Sequence, residues 1–428
     1  MTKKNILLLV LGLLSMVKIR VMGTFAAAEI IVFLSYLFIP IKGFLSNPKM
    51  KRLMLLAFVW LLGIIISDVY NQTPTTDALK GSFNVVFLIS LIPFVYWAVA
   101  DDPKRILYFW LGSGLSGLFS FYFLKSYDDF YAYDVWRVYA YYPLIMAVSG
   151  WLYSKERKAW AYLLAEGFAI WTLFHASRNV FLCLTMANIL LIFTDRLQAT
   201  EEESVMSKYR RSIVGLLVCF LIGAAVIDVS YEYGAANGYL GERAQAKYFM
   251  QKANVNGLAS GREDFFMSSV LVSRNPIWGY GSYAKDKEGF TDKYLYEHGM
   301  EDNSGTKEIE LLPGHSYIMG AWVYSGFLGA IFWFFVLWQW FRCMKRGTFL
   351  YEDRLTGLFT YFMFYYLWCI LFSPFSDRLN FLMFIVPLII LNTEYVEDEE
   401  LLETDEELLD YEIETPEYET ETPENAYD

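Results

Sequence analysis

Along most of this chain, apolar runs approaching the roughly 20 residues that cross a bilayer recur, separated by short charged connections. With 56% hydrophobic and 19% aromatic residues, the chain is too apolar and too segmented for a soluble globular domain. It reads as an all-α polytopic membrane protein. Twelve spans are expected, near residues 5–22, 24–41, 53–67, 82–100, 106–124, 139–153, 159–175, 180–194, 212–228, 315–341, 355–372 and 379–393. The first, second, seventh and eighth are short for a hydrocarbon layer of about 30 Å and are candidates for tilt or re-entry. The chain therefore divides into nine spans over 1–230, one large extracytoplasmic loop over 231–314, three spans over 315–393, and a tail over 394–428.

Charge sets the expected orientation. The formal net charge of -12 misleads, because the tail from Glu394 holds 17 of the 47 acidic residues and no Lys or Arg, leaving 35 basic against 30 acidic residues in the body. With the N-terminus inside, 19 Lys and Arg fall in cytoplasmic segments, among them Lys3, Lys4, Lys49, Lys51, Arg52, Lys104, Arg105, Lys158 and Arg342. The positive-inside rule then puts both termini in the cytosol and the large loop outside. The run from Ile6 to Val17 is read as a retained span, because Lys18 and Arg20 follow it where a signal peptide would show small residues. The tail, rich in Glu, Asp, Thr and Tyr, has the composition of a disordered segment; a second reading is a docking segment for a basic cytoplasmic partner. None of the four cysteines, Cys183, Cys219, Cys343 and Cys369, lies in the large loop, so neither a disulfide framework nor a metal cluster is expected.

The large loop holds the residues with chemical character. His315, one of three histidines, follows Pro313-Gly314 at the start of an apolar span. There the helix dipole disfavours the imidazolium and favours a neutral ring able to accept a proton, as a general base requires. The plainer reading is an interfacial helix cap. Arg178 interrupts an apolar stretch, and is either a snorkelling interfacial cation or an anion ligand. Arg262 follows Ser260-Gly261, where a glycine lets the backbone approach a bulky ligand. Forked guanidinium donors suit phosphate oxygens, so two arginines on one face suggest a phosphorylated substrate. Asn275-Pro276 begins a turn, and Gly279 and Gly281 allow positive φ beyond it. No Lys-Ser/Thr follows these glycines, which argues against a nucleotide site, and no nucleic-acid partner is indicated.

Secondary candidates lie on the same face. Asp128 and Arg137 fall in an expected loop over 125–138, with Asp129, Asp134 and five aromatic residues, suited to stacking on sugars or to an interfacial aromatic belt. Arg274 and Tyr280 flank the Asn275-Pro276 turn. Arg378 is expected to pair with Asp377, and Glu29 and Glu166, inside apolar runs, must be paired or face a cavity.

The order Ser177-Arg178, Ser260-Gly261-Arg262, Asn275-Pro276-x-x-Gly279-x-Gly281, then His315 with Gly326 and Gly329, resembles the O-antigen ligase and O-antigen polymerase family of bacterial integral-membrane glycosyltransferases. The resemblance covers residues 177–329. It departs at Ser316, where the family often has Asn, and at Asn179, where Gly is common. It implies a GT-C-like membrane fold in the bacterial cytoplasmic membrane and an undecaprenyl-diphosphate-linked oligosaccharide donor. The acceptor would be a glycan or lipid, the transfer inverting, and neither metal nor cofactor is expected. His315 would be the base, and Arg178 and Arg262 would hold the diphosphate. A polymerase of repeat units is the favoured member, with a ligase onto a lipid core or protein as alternative. A chain-length regulator or assembly protein would be a partner. Two other classes stay open. A lipid-linked oligosaccharide flippase would usually show similar halves and mid-membrane binding residues, and this chain has no internal repeat. A non-catalytic scaffold would not require His315 beside both arginines.

Overall fold

The computed structural model describes residues 2–15, 17–20, 24–38, 44–124, 130–175, 177–198, 226, 229–242, 244–246, 248–249, 263–297, 311–346, 353–375 and 377–392. The chain is an all-α membrane protein. Its helices are α1 (Lys3–Ser15), α2 (Ala27–Ser35), α3 (Pro48–Tyr70), α4 (Thr75–Val99), α5 (Ile106–Phe119), α6 (Phe130–Ser154), α7 (Lys158–Phe174), α8 (Arg178–Gln198), α9 (Glu263–Arg274), α10 (Phe290–Glu297), α11 (Tyr317–Arg346), α12 (Asp353–Phe372) and α13 (Arg378–Asn392). Among the described residues, five helices are long and apolar enough to cross a membrane: Pro48–Tyr70, Thr75–Val99, Pro103–Phe123, Arg178–Arg196 and Tyr317–Lys345. Thr356–Phe372 and Arg378–Asn392 are apolar but shorter. A helix is the natural answer for such segments, since lipid offers nothing to an unpaired backbone N–H or C=O.

The first two expected spans take a different form. At 13 residues, α1 reaches about 20 Å, short of the roughly 30 Å layer. Lys18 and Arg20 end the apolar run, and Lys18–Arg20 pairs antiparallel with Thr24–Ala26 in a small hairpin, β1 with β2, before the 9-residue α2. Crossing of α1 with α5 is close because both present glycine: a Cβ on Gly12 would meet the Phe109 carbonyl at 2.1 Å. The expected loop over 125–138 is also corrected. From Phe130 onward it is the start of α6, which carries Asp134 and Arg137, while 125–129, with Asp128, lie outside the described residues. So do the ninth span apart from Val226, Cys219 and the acidic tail. Cys183, Cys343 and Cys369 are buried.

A continuous apolar core runs through the bundle, with Trp333, Tyr361, Phe362, Phe381 and Phe384 buried in it. Glu29 and Glu166, inside the helices, are both paired. Glu166 accepts from Thr185 Oγ1 and Asn188 Nδ2, both at 2.9 Å. Glu29 Oε1 and Oε2 accept from Arg378 Nε and Nη2 at 3.0 and 2.8 Å, and Glu29 Oε2 also accepts from the Ala26 amide, capping α2. Arg378 therefore forks onto Glu29, a partner 349 residues away that the expected pairing with Asp377 does not include. Both side chains are nearly sealed from solvent, the setting in which removing one partner costs about 3–5 kcal/mol.

Helix α11 is broken. Gly326 sits at φ 66°, ψ -164° inside it. A Cβ there would meet the Ile277 carbonyl at 2.0 Å, so only glycine fits both the dihedral and the space. Basic side chains gather at the other end of the bundle, at the ends of α3, α4, α11 and α13 away from the break. Lys4 and Arg105 share Asp101, and Lys49 Nζ donates to the Asn392 carbonyl.

Gly326→Ala is expected to destabilise the protein by at least about 1–3 kcal/mol from the backbone conformation alone. Gly167→Ala, whose added methyl meets no atom within 4 Å, should stay within about 1 kcal/mol of the parent. Thermal unfolding of both variants in detergent checks the contrast.

Candidate active site

The site is assembled where the α11 entry, the loop over 275–283 and α9 meet. Ser316 caps α11: its Oγ accepts from the Met319 amide at 3.1 Å and donates to the Ile370 carbonyl at 3.0 Å. The segment leading to it is fastened on each side. Leu312 N donates to the Ala284 carbonyl, Tyr324 OH to the Leu312 carbonyl, and Ser268 Oγ to the Pro313 carbonyl. Ser268 belongs to α9, so the last bond fixes α9 against the residues just before His315. The Phe265 and Phe372 rings, 5.4 Å apart, hold the same helix against α12.

That docking brings Asp264 to His315. Asp264 Oδ2 lies 2.5 Å from His315 Nδ1. The carboxylate hydrogen bond raises the His315 pKa above its ordinary 6.5; burial opposes the rise and the Asp264 charge adds to it. The shift runs opposite to the lowering expected from the helix dipole. The reason is positional: α11 begins at Tyr317 and Ser316 is its cap, so His315 precedes the first turn and answers to the carboxylate instead. In the neutral ring, with Nδ1 donating to Asp264, Nε2 is the acceptor, and the 62% exposed side chain leaves it reachable.

Both residues line a cavity of about 450 Å³. Its polar lining includes Asn84, Ser282, Tyr283 and Thr291; Trp60, Phe375 and Tyr324 supply aromatic walls. Asp68, buried at the end of α3, accepts from the Ser282 amide at 2.6 Å and from Ser282 Oγ at 2.9 Å. The Asn275-Pro276 turn takes the expected form, with Gly279 at φ 70° and Gly281 at φ 85°. Its task is to mend α11: Tyr280 N and Gly281 N donate to the Val323 and Tyr324 carbonyls, and Phe327 N to the Ile277 carbonyl.

The other candidates are placed as follows. Arg178 starts α8 with its guanidinium 4.9 Å from the Tyr231 ring centre. Bonds from Cys183 to Phe364 and from Tyr361 to Asn188 make α8 antiparallel to α12, which puts Arg178 at the same end of the bundle as His315. It is not among the residues lining the cavity. Arg274 lies over Phe290 at 4.8 Å. Tyr280 OH donates to the Leu271 carbonyl at 3.2 Å, and burial raises its pKa against the nearby Arg274 charge. Arg137 is in α6, and Arg262 and Asp128 lie outside the described residues. Asp264, Asn84 and Tyr283 were not singled out from sequence. Asp264 had one signal, its place just past Ser260-Gly261-Arg262; nothing local announced its partner.

Asp264→Asn is expected to lower the His315 pKa, read by NMR titration in a protein with only three histidines. Because the folded value is raised, the pair's stabilisation is full below the ordinary 6.5 and fades as pH rises through the raised value; the variant should lose that pH dependence. Compared with family models, curated proteins and solved structures, the chain matches none.

Proposed function

We propose that this protein transfers an undecaprenyl-diphosphate-linked oligosaccharide to a hydroxyl acceptor by inverting glycosyl transfer, most simply as a polymerase of repeat units. The observation that carries the reading is the His315–Asp264 pair on the wall of a 450 Å³ cavity, at the end of the bundle away from the basic rim. On this reading the basic end is cytoplasmic and the cavity faces outward. The twelve-span, GT-C-like arrangement is kept, with α1 and α2 as its short first pair in the bacterial cytoplasmic membrane.

The chemistry assigns one proton and one bond exchange. His315 Nε2 takes the proton of the acceptor hydroxyl, whose oxygen attacks the anomeric carbon on the face opposite the diphosphate. The carbon–oxygen bond to the diphosphate breaks, and its electron pair leaves with the undecaprenyl diphosphate. Asp264 stabilises the imidazolium that forms, as a carboxylate does in other histidine-base sites. Arg178 and Arg262 neutralise the departing charge. A ligase would use the same steps with a lipid or protein acceptor.

Purified protein incubated with an undecaprenyl-diphosphate-linked repeat unit should form a ladder of products resolved by size. Loss of a general base costs about 10²–10⁴-fold, so His315→Ala should abolish the ladder within the assay's range, and Asp264→Asn should slow it. A single transfer to an added lipid or protein acceptor would identify the ligase. If no lipid-linked donor gives product with any acceptor, the glycosyl-transfer reading falls.

A further inference from the structure

The α4 wall of the cavity carries an arrangement that the transfer chemistry does not use. Arg378 Nη1 donates to Asn84 Oδ1 at 2.7 Å. A guanidinium has only donors, so this contact fixes which end of the Asn84 amide is the oxygen. Arg378 cannot turn away, because Glu29 holds its Nε and Nη2. The Asn84 NH₂ group is thereby committed to the other direction, where Nδ2 donates to Tyr283 OH at 3.3 Å. Having accepted that bond, the Tyr283 hydroxyl has its own proton to give.

Tyr283 itself is held in an unusual state. It is one of three described non-glycine residues at positive φ, at 52°, directly after Ser282, which Asp68 grips through both amide and hydroxyl. Such a conformation costs about 1–3 kcal/mol and persists where the surroundings over-determine it, often at ligand sites. Thr291 also lines the cavity, and its Oγ1 is buried with no hydrogen-bond partner. Among the described residues no Lys or Arg lines the cavity, and Asp264 gives it a carboxylate. Aromatic walls with fixed neutral donors suit an uncharged ring bearing oxygen acceptors better than an anion.

Resting on the proposed glycosyl transfer, we propose that this cavity is the acceptor-sugar subsite. Asn84 and Tyr283 donate to an oxygen of a neutral sugar whose reacting hydroxyl reaches His315, and Arg378 is a positioning residue that sets the Asn84 amide. The cavity therefore excludes the diphosphate, which binds elsewhere on the same face.

The test is calorimetric binding to the full-length protein in nanodiscs, using neutral methyl hexosides with and without a 2-acetamido group, and inorganic pyrophosphate as the anionic probe. Neutral saccharide should bind the parent and Gly167→Ala alike, Gly167 lying outside the cavity lining. Asn84→Asp, which keeps an acceptor for Arg378 but loses the donors, should weaken binding at least tenfold, and Tyr283→Phe should weaken it less. In the transfer assay Asn84→Asp should raise the acceptor KM and leave kcat within about threefold; a positioning defect at His315 would lower kcat instead. Equal binding by Asn84→Asp and the parent, no saccharide binding at all, or pyrophosphate competing with saccharide would each overturn the subsite. Saccharide binding that depends on Asn84 in a protein that transfers nothing would keep the subsite while the glycosyl-transfer reading fails. An unchanged acceptor KM in an active Asn84→Asp enzyme would do the reverse.

Discussion

The arrangement depends on how α11 survives its own break. A helix interrupted at membrane depth exposes N–H and C=O groups that lipid cannot satisfy, and irregular backbone persists there only when protein takes them up. Residues 277–281 supply the missing partners, two donors and one acceptor, across the gap at Gly326. The same bonds fix the path of the loop. Ser282 then reaches Asp68, Tyr283 turns into the cavity, and Ala284 holds Leu312 three residues before His315. One backbone repair thus positions residues from α3, α4, α9 and α11 around a single space.

The cavity's two walls draw their order from different sources. On one wall a carboxylate hydrogen-bonded to an imidazole makes a proton acceptor of defined tautomer. On the other an ion pair outside the cavity dictates the orientation of an amide inside it. Both are set by residues distant in sequence. Elsewhere in the bundle, Glu166 is satisfied by Thr185 and Asn188 of the neighbouring helix.

Much of the helical framework was legible because hydrophobic runs and charged connections report burial directly. The glycines after Asn275-Pro276 were legible too, since positive φ is a local demand. The α1–α2 region was not, because a run of apolar residues does not reveal that Lys18 and Arg20 will turn the chain into a hairpin. The start of α6 looks like a loop in the sequence because Asp134 and the aromatics around it resemble surface decoration. His315 was legible as a lone polar residue before an apolar span, but its electrostatics were not. The helix dipole is implied by sequence position, whereas the nearby carboxylate of Asp264 arrives through folding from 51 residues away. Arg378 was assigned a sequence neighbour for the same reason: local pairs are visible in a string of letters, and Glu29 is not.

The Glu29–Arg378 pair joins the second helix of the chain to its last described one. During synthesis the carboxylate is made long before its cation. Until α13 inserts, Glu29 has only the Ala26 amide and its other neighbours to offset its burial, and Asn84 has no guanidinium to orient it. The cavity's donor wall is therefore completed only once α13 is in place, so the oriented amide reports that two helices far apart in the chain have met.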